Sequence, residues 1–529
     1  MDYSLSIRHN PTSHYANITS GYYTFLICFI FAISVFLVRK YLPNRSTQRF
    51  VKIIYKLNPA FLACYFATTI TLILFSTFFT QQERVVSVFT KRLGRISYVF
   101  TNLLIIIMFQ EPLSLFKGLA SYLEFINLHK WLSRAVFGLS ILHSFMFIGK
   151  WSSDPAISIW NKLIVKKANF IGFVIFIEIC FMLVISLKPM RQKSYKLFYF
   201  SHQLINLSFI ILIPFHARPR VTIPFFVINL VLLTIYCVNK VIRSSQVMIL
   251  NKMEVPESRL YTVTLPASSL GDTSVISPGS HIRISPYSIW SWQYWLLPSH
   301  PYTIVSCMNG EIKLIIKKTK FEVNKDETYR ISGPFENISI TNFIKWQEDL
   351  NNIILVAGGS GISFILPIYH YLQYNRYSII SYRSLKMIWL VKNISEFQHI
   401  RDNIGLPCEY FKQIEVFITA DTERNTKNNS VNNDVVNFAN EHRDVIELQD
   451  FIPIEGKLDT NEEAENNIKY GRINWEIDFF EDILNNDCEN NSNNTNNYII
   501  GCGPESLIQD CIAFGIQHNY QVISEYYSL

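Results

Sequence analysis

Seven apolar segments, each long enough to cross a lipid bilayer as a helix, occupy most of the first half of this 529-residue chain. A bilayer core about 30 Å thick requires about 20 apolar residues in helical conformation, and only helices and closed barrels satisfy their backbone hydrogen bonds there. The segments lie near residues 21–38, 58–80, 97–116, 129–149, 169–187, 195–215 and 221–240. The sequence therefore predicts a multipass α-helical membrane domain over 21–243, preceded by a short outer tail over 1–20.

The charge of the chain divides where the apolar segments end. Residues 1–250 contain 26 basic and 6 acidic residues, a net charge of +20, whereas the remainder contains 22 and 35, a net charge of −13. The basic residues lie between apolar segments and form no single stripe, which excludes nucleic acid as an expected partner. No two of the nine cysteines have CxxC spacing, which disfavours a zinc site or a disulfide scaffold.

The second half of the chain shows two successive patterns of secondary structure. Short β-type runs, such as Leu260–Leu265 and Ile312–Lys317, predict a small antiparallel β-barrel over 250–345. From residue 350 to 529 a strand, a glycine turn, a helix and a further strand follow one another, which is typical of an α/β domain. Within it, the stretch from about 421 to 497 is rich in Asn, Asp and Glu and predicts a largely disordered insertion.

Four histidines in the membrane half form two pairs of equal spacing: His129 with His143, and His202 with His216. Fourteen helical residues rise about 21 Å and end only about 40° short of four full turns, so each pair lies on one helix face. Two such helices facing each other offer two imidazole pairs that can ligate two haem irons. A lone membrane histidine also serves as a helix–helix hydrogen-bond partner, but the repeated spacing favours metal ligation.

The direction of the two helices sets which histidines meet. Both run from inside to outside if the N-terminus is outside. We therefore expect an inner pair of His129 with His202 and an outer pair of His143 with His216, each holding one six-coordinate haem b. Iron with two axial histidines has no free position for a substrate, so electrons would leave at the haem edge.

A short motif at the start of a β-run, His300-Pro301-Tyr302-Thr303, is a candidate flavin site. An aromatic ring can stack on the isoalloxazine of FAD while the neighbouring hydroxyl bonds its N5 edge. Lys317 ends the next strand and is a candidate for the flavin pyrophosphate, although a solvated strand end is an equal alternative.

A glycine-rich turn between an apolar strand and a helix is a candidate NADPH phosphate site, because glycines and a helix N-terminus admit phosphate to the backbone. Its residues are Gly358, Gly359, Ser360, Gly361, Ile362 and Ser363. Lys392 ends the next predicted strand, where a cation favours the 2′-phosphate of NADP over NAD; a surface lysine is the alternative. Cys502, Gly503 and Pro504 end a further strand at the edge where ligands bind such sheets; taken in isolation, Cys502 fits a buried structural cysteine better.

The helices with HX13H spacing, HPYT, GGSGIS and CGP, in this order, resemble the fungal ferric/cupric reductases and the related NADPH oxidases, whose small yeast members include probable metalloreductases. The resemblance implies a di-haem bundle followed by a ferredoxin-reductase-like cytosolic module with an FAD barrel and an NADPH-binding α/β domain. Thr303 at the flavin and Cys502 at the carboxyl edge of the sheet are the expected catalytic residues. Arg92 resembles a basic residue that assists the outer haem in this family.

The implied reaction moves electrons from cytosolic NADPH through FAD and two haems to an acceptor across the membrane. That acceptor is ferric or cupric ion, which would serve iron and copper homeostasis, or alternatively dioxygen, which would become superoxide. A non-catalytic membrane scaffold is a further alternative. The expected location is the plasma membrane or the endoplasmic reticulum, and the sequence identifies no protein partner.

Overall fold

This computed structural model describes most of the second half of the chain and the later part of the first half. The described residues are 26, 85–108, 122–153, 158–217, 219–270, 276–346, 349–375, 381–419, 467–478 and 497–526. They form two compact units. One, the helical unit, comprises the described residues up to Ser244 together with Tyr287–Ser299; the other, the sheet unit, comprises Ser245–Pro286 and the described residues from His300 onward.

Long apolar helices build the helical unit. They and the shorter helices between them are α1 Val85–Met108, α2 Tyr122–Ser152, α3 Ile159–Ile164, α4 Lys167–Ile185, α5 Lys188–Lys193, α6 Tyr195–His216, α7 Pro219–Ile242 and α8 Trp292–Leu296. By length and composition, four stretches of the described helices can cross a membrane: His129–Ser152, Lys167–Ile185, Tyr195–His216 and Thr222–Ile242. Their mean hydropathy is 1.4 to 2.5, as expected for helices that face lipid.

The four stretches correspond to the last four of the seven predicted spans. The first two predicted spans, near 21–38 and 58–80, lie outside the described residues. Of the third, predicted near 97–116, residues 97–108 belong to α1 Val85–Met108, and 109–116 lie outside the described residues. Helix α1 is not one of the four because Lys91, Arg92 and Arg95 lie within it.

Polar side chains join the helices of this unit at a few points. The Ser97 hydroxyl of α1 lies 2.6 Å from that of Ser140 on α2, and the Asn229 amide of α7 donates to Asn102 Oδ1 at 2.6 Å. Such bonds are common between membrane helices because lipid offers a polar group no other partner.

Seven strands form the first sheet of the sheet unit: β1 Ser244–Met248, β2 Asn251–Glu254, β3 Leu260–Pro266, β4 His281–Ser285, β5 His300–Met308, β6 Glu311–Lys317 and β7 Thr328–Phe335. Their order is β1-β7-β4-β5-β6-β3-β2, and the pairings from β7 through to β2 are antiparallel. The sheet curls around an apolar core that includes Val263, Ile284 and Leu314. The alternation of buried and exposed residues in the sequence follows from this one-sided burial.

Six parallel strands form the second sheet: β8 Asp349–Gly358, β9 Ser381–Val391, β10 Ile414–Ile418, β11 Ile468–Tyr470, β12 Tyr498–Gly503 and β13 Gln521–Tyr526. The accompanying helices are α9 Ile338–Trp346, α10 Ile362–Tyr374, α11 Ile394–Asn403, α12 Cys408–Lys412, α13 Trp475–Asp478 and α14 Glu505–Gln517. The strand order is β11-β10-β9-β8-β12-β13. Strands β9 to β11 are added on one side of β8, and β12 and β13 on the other. The position between β8 and β12 is therefore the topological switch point, where such sheets bind ligands.

The segment predicted as a disordered insertion, about 421–497, contains ordered structure. Strand β11 pairs in parallel with β10, with Val416 beside Ile468, and α13 follows it. Residues 467–478 are thus an ordered piece within the segment; 421–466 and 479–496 lie outside the described residues, where the expectation of a largely disordered insertion stays a prediction. The Asn-rich composition around them conceals a three-residue strand whose partner, β10, supplies the hydrogen bonds.

One core joins the two sheets of this unit. Leu260, Val305 and Ile315 of the curled sheet belong to the same buried cluster as Ile362 and Phe364 of α10. The curled sheet also has the separate core described above, so the shared cluster is a contact between the two predicted domains.

Candidate functional site

The four predicted histidines lie in two pairs between α2 and α6. The ring centroids of His129 and His202 are 5.9 Å apart, and those of His143 and His216 are 6.3 Å apart. Two imidazoles that ligate one metal ion from opposite sides have ring centres about 6 Å apart, because each metal–nitrogen bond is about 2 Å. Both pairs therefore have the spacing that an iron with two axial histidines requires.

The other ring nitrogen of each outer histidine is bonded to a backbone carbonyl. Nδ1 of His143 lies 2.6 Å from the Thr90 oxygen, and Nδ1 of His216 lies 2.8 Å from the Ala168 oxygen. A carbonyl only accepts hydrogen bonds, so each Nδ1 carries the proton and donates it, which leaves a lone pair on Nε2. Metal-ligating histidines typically make this second bond, and the outer pair therefore fits haem iron in tautomer as well as spacing.

The inner pair has a different set of neighbours. The side-chain nitrogen Nδ2 of Asn206, one helical turn from His202, lies 2.8 Å from Nδ1 of that histidine. An amide nitrogen donates, so Nδ1 accepts this bond and the proton of neutral His202 lies on Nε2. Iron ligation through Nε2 would require the Asn206 amide to turn so that Oδ1 accepts from Nδ1. Nδ1 of His129 is buried without a hydrogen-bond partner among the described residues. The spacing of the rings supports iron ligation at both pairs, while their hydrogen bonds support it at the outer pair.

Arg92, the residue expected to assist the outer pair, lies on α1 two positions after Thr90. Its side chain is buried, with 5% of its surface exposed. Two helical residues turn about 200°, so Arg92 lies on the face of α1 away from Thr90, whose carbonyl accepts the hydrogen bond from His143.

The glycine turn after β8 and the CGP turn after β12 lie side by side at the switch point. Strand β12 pairs with β8 so that Cys502 lies beside Ala357. A Cβ at Gly358 would lie 2.7 Å from Cδ of Pro504, and one at Gly361 would overlap the Cys502 carbonyl oxygen. These two glycines are therefore required by the contact between the turns.

Gly359 differs from its neighbours in the same turn. Its φ is +52°, and a Cβ there would meet nothing within 4 Å. Trp389 Nε1 donates a hydrogen bond to the Gly359 carbonyl at 3.1 Å, which holds the turn in place. Ser363 Oγ donates a second bond to the Ser360 carbonyl at 2.9 Å. The open backbone at Gly359, immediately before the N-terminus of α10 at Ile362, is where a phosphate has access.

Cys502 and Lys392 lie at the same carboxyl edge of the sheet, on different strands. Cys502 is fully buried and belongs to the core shared with α10. Lys392 follows β9 directly, and its side chain is exposed. Its backbone N–H donates to Glu396 Oε2 at 3.2 Å, which fixes the backbone that presents the lysine.

The HPYT motif begins β5. The His300 ring stacks on Phe321 with centroids 3.9 Å apart, and burial lowers the pKa of His300, so the ring is neutral at neutral pH. Pro301 is exposed, and Tyr302 is half-buried against the curled-sheet core with its pKa raised by burial. Thr303 is buried and pairs across the strands with His281.

Lys317 lies at the end of β6, as the sequence predicts, with its side chain exposed. Two neighbouring lysines are engaged elsewhere: Lys318 forms a 2.6 Å ion pair with Glu254, and Lys313 donates to the Asn403 carbonyl at 3.1 Å. Of these three cations, Lys317 is the one that faces solvent.

Glu525 is a candidate residue that the sequence analysis missed. It lies on β13 directly beside Cys502, and its Oε2 accepts a hydrogen bond from the Asn337 amide at 3.4 Å. Burial raises the pKa of this carboxyl, although the Asn337 bond opposes the rise. An acidic residue in the strand after CGP was the available signal, but only the parallel pairing of β12 and β13 places it beside the thiol.

Three family models match successive parts of the chain. The ferric reductase like transmembrane component matches residues 93–213, the FAD-binding domain matches 248–336, and the ferric reductase NAD binding domain matches 350–513. The first match includes His129, His143 and His202 and ends three residues before His216. The second includes HPYT, and the third includes GGSGIS and CGP.

Full-length relatives are found among yeasts. A probable metalloreductase AIM14 of Saccharomyces cerevisiae is 38% identical over 455 residues, which cover 79% of this chain and 77% of the relative. That of Kluyveromyces lactis is 31% identical over 543 residues, with 100% of both chains covered. Among solved structures, a ferredoxin NADP+ reductase from Neisseria gonorrhoeae with bound FAD and NADP matches at 13% identity and a TM-score of 0.33, over 54% of this chain and 98% of that one.

Proposed function

The chain belongs to the ferric reductase family of transmembrane NADPH-dependent oxidoreductases, and from this premise we propose that it reduces ferric or cupric ions across a membrane with electrons from cytosolic NADPH. The path would run through FAD and two b-type haems. The observation that carries the proposal is that α2 and α6 face each other with two histidine pairs, whose ring centroids are 5.9 and 6.3 Å apart.

The sheet unit would bind the electron donor. Gly359 and the N-terminus of α10 admit the pyrophosphate, and Lys392 binds the 2′-phosphate. Cys502 and Glu525, side by side at the carboxyl edge, would line the position of the nicotinamide. The contact of Gly358 and Gly361 with the CGP turn holds these parts together.

The curled sheet would bind FAD, which when bound accepts a hydride and releases electrons one at a time. Tyr302 and Thr303 would contact the isoalloxazine, and His300 and Pro301 would shape the strand entry that presents them. The neutral His300 stacked on Phe321 fixes this entry without adding charge. Lys317, exposed at the end of β6, would bind the pyrophosphate.

The helical unit would hold the haems, which supply reversible one-electron transfer when bound. His129 and His202 would ligate the inner iron, and His143 and His216 the outer iron. With two imidazoles on each iron, no ligand position would remain for the acceptor, which would receive its electron at the haem edge. An open outer surface suffices for a chelated metal ion.

The proposal includes a location and a topology. Seven spans with the N-terminus outside would place the nucleotide-binding parts in the cytosol, in the plasma membrane or the endoplasmic reticulum. The domains would be the outer tail 1–20, the di-haem domain 21–243, the FAD domain 250–345 and the NADPH domain 350–529. A role in iron and copper homeostasis follows if the acceptor is a metal ion.

Purified protein in proteoliposomes tests the proposal, with NADPH as donor and ferric chelate, cupric ion or air as sole acceptor. We expect a b-type reduced-minus-oxidised spectrum on addition of NADPH, and metal reduction that persists when superoxide dismutase is present. Metal reduction that vanishes with dismutase while oxygen uptake continues would assign dioxygen as the acceptor. A protein without haem and without NADPH oxidation would be a scaffold.

Single histidine variants are the matched controls. His129→Ala or His202→Ala should lose the inner haem, and His143→Ala or His216→Ala the outer, because a five-coordinate iron loses half of its axial bonding. All four should lose transmembrane electron transfer. Two haems in any of these variants would contradict the assignment.

A further inference from the structure

Each outer imidazole contacts a glycine on a neighbouring helix. A Cβ at Gly94 of α1 would lie 2.7 Å from Cε1 and 2.8 Å from Nδ1 of His143. A Cβ at Gly172 of α4 would come still closer to Cε1 of His216 and would lie 2.5 Å from its Nδ1. Real Cβ atoms essentially never approach other atoms within 3.0 Å. Neither position can therefore carry a side chain while the ring stays in place.

The glycine and the hydrogen-bond acceptor of each ring belong to one turn of helix. Thr90 precedes Gly94 by four residues, and Ala168 precedes Gly172 by four residues. Residues four apart lie on the same helix face, so each helix presents a carbonyl and a bare backbone to the same ring. Helix α1 holds His143 of α2 in this way, and α4 holds His216 of α6.

We propose that Gly94 and Gly172 are positioning residues for the outer haem, a role that rests on the proposed function. The Nδ1–H bond sets the tautomer of each imidazole, and the glycine lets the helix backbone close on the edge of the ring. Together they fix the plane of each ring, and the two planes stand at 90° to each other. The arrangement occurs twice, once on each side of the outer iron position.

A methyl group at either glycine would force the ring or the helix to move. Moving the ring breaks the Nδ1 bond and redirects Nε2, while moving the helix withdraws the carbonyl with it. Either change weakens ligation of the outer iron. The inner pair should be unaffected. Among the described glycines, none has an atom of His129 or His202 as a nearest neighbour of its Cβ position.

The chain offers a matched control for a glycine-to-alanine change in a membrane helix. Gly138 lies on α2, five residues before His143, and a Cβ there would meet nothing within 4 Å. Gly138→Ala therefore adds the same methyl group to α2, the helix that carries His143, without touching the imidazole.

The test compares full-length wild type, Gly94→Ala, Gly172→Ala and Gly138→Ala by haem-to-protein ratio and by low-temperature EPR of the ferric protein. We expect the ratio to fall from two toward one in the Gly94 and Gly172 variants, with the remaining spectrum equal to that of His143→Ala. Where outer haem is retained, its g values should shift, because they depend on the orientation of the imidazole planes. Gly138→Ala should match wild type in both measurements.

Two outcomes overturn the inference. One is two haems with wild-type g values in both Gly94→Ala and Gly172→Ala. The other is equal loss of inner and outer haem in these variants while Gly138→Ala retains both, since the effect would then be general misfolding of the bundle. A wild-type protein that binds no haem would contradict the proposed function instead, so the two failures are distinguishable.

Discussion

Lys392 is the residue expected to distinguish NADPH from NADH. It is exposed at the carboxyl edge of the parallel sheet, next to the switch point. A charge-assisted hydrogen bond to the 2′-phosphate contributes about 1.5–3 kcal/mol. Lys392→Ala should therefore raise the KM for NADPH roughly tenfold or more and leave NADH kinetics unchanged.

Steady-state kinetics with both nucleotides measure this difference. Lys412 is a suitable control, because it is exposed and precedes β10, at the amino edge of the same sheet. Lys412→Ala should leave both KM values at the wild-type level. Equal shifts for NADPH and NADH in Lys392→Ala would show that this lysine does not bind the 2′-phosphate.

Glu525 gives a pH dependence whose sign follows from its environment. Burial raises its pKa in the folded protein above the value in the unfolded chain. The folded state therefore holds the proton more tightly, and the protonated carboxyl contributes stability at low pH. This stability is lost as the pH rises from the pKa in the unfolded chain, about 4.3, through the pKa in the folded protein. Glu525→Gln, which cannot ionise, should raise the Tm at neutral pH.

Thermal unfolding at several pH values checks this prediction. The difference in Tm between Glu525→Gln and wild type should shrink toward about pH 3, where the carboxyl is protonated in both the folded and the unfolded state. The same variant should alter the pH profile of NADPH oxidation if the carboxyl lies beside the nicotinamide. A Tm difference that does not depend on pH would assign the effect to packing alone.

At the scale of elements, the glycine turn after β8 has two separable tasks. Gly361 allows contact with the CGP turn, where a Cβ would overlap the Cys502 carbonyl, whereas Gly359 faces open space at φ +52°. Gly361→Ala should destabilise the sheet unit by about 1–3 kcal/mol, the usual cost of overpacking. It should also weaken NADPH binding, because the two turns separate.

Gly359→Asn is the complementary variant, since asparagine tolerates a left-handed backbone better than other side chains. It should keep the wild-type Tm and raise the KM for NADPH, because a side chain now occupies the approach to the backbone. Thermal unfolding and kinetics measured together separate the two tasks. Loss of stability in Gly359→Asn equal to that in Gly361→Ala would contradict this division.

At the scale of the whole molecule, the sheet unit is expected to unfold as one body. Phe364 of α10 is buried in the core that also contains Val305 of β5, and Phe→Ala changes in a core typically cost about 3–5 kcal/mol. Phe364→Ala should therefore lower the midpoint of FAD release and the midpoint of tryptophan fluorescence change together. Ile516→Ala, at a residue 76% exposed, should change neither.

Coincident transitions by the two probes would support a single cooperative unit. If FAD release kept its wild-type midpoint while the fluorescence transition moved, the two sheets would be independent domains. That outcome would favour the two-domain division expected from the sequence.

Much of the organisation of this protein was predictable because it is local. Hydropathy over about 20 residues located the four described stretches able to span a membrane, and the 14-residue spacing of the histidines predicted their face of the helix. GGSGIS and CGP were assigned to turns after strands, since a glycine turn between an apolar run and a helix is a short-range signal. The start of α1 at Val85 was missed because its charged first half conceals the helix from hydropathy.

The remaining features depend on which elements lie next to each other. Gly94 and Gly172 are ordinary helix residues in the sequence, and only the packing of α1 on α2 and of α4 on α6 gives them a ring to contact. Glu525 gained a place beside Cys502 through the parallel pairing of β12 and β13. Helix periodicity and turn signals are fixed by neighbours in the chain, whereas close approach between backbones is fixed by tertiary packing, which no local pattern encodes.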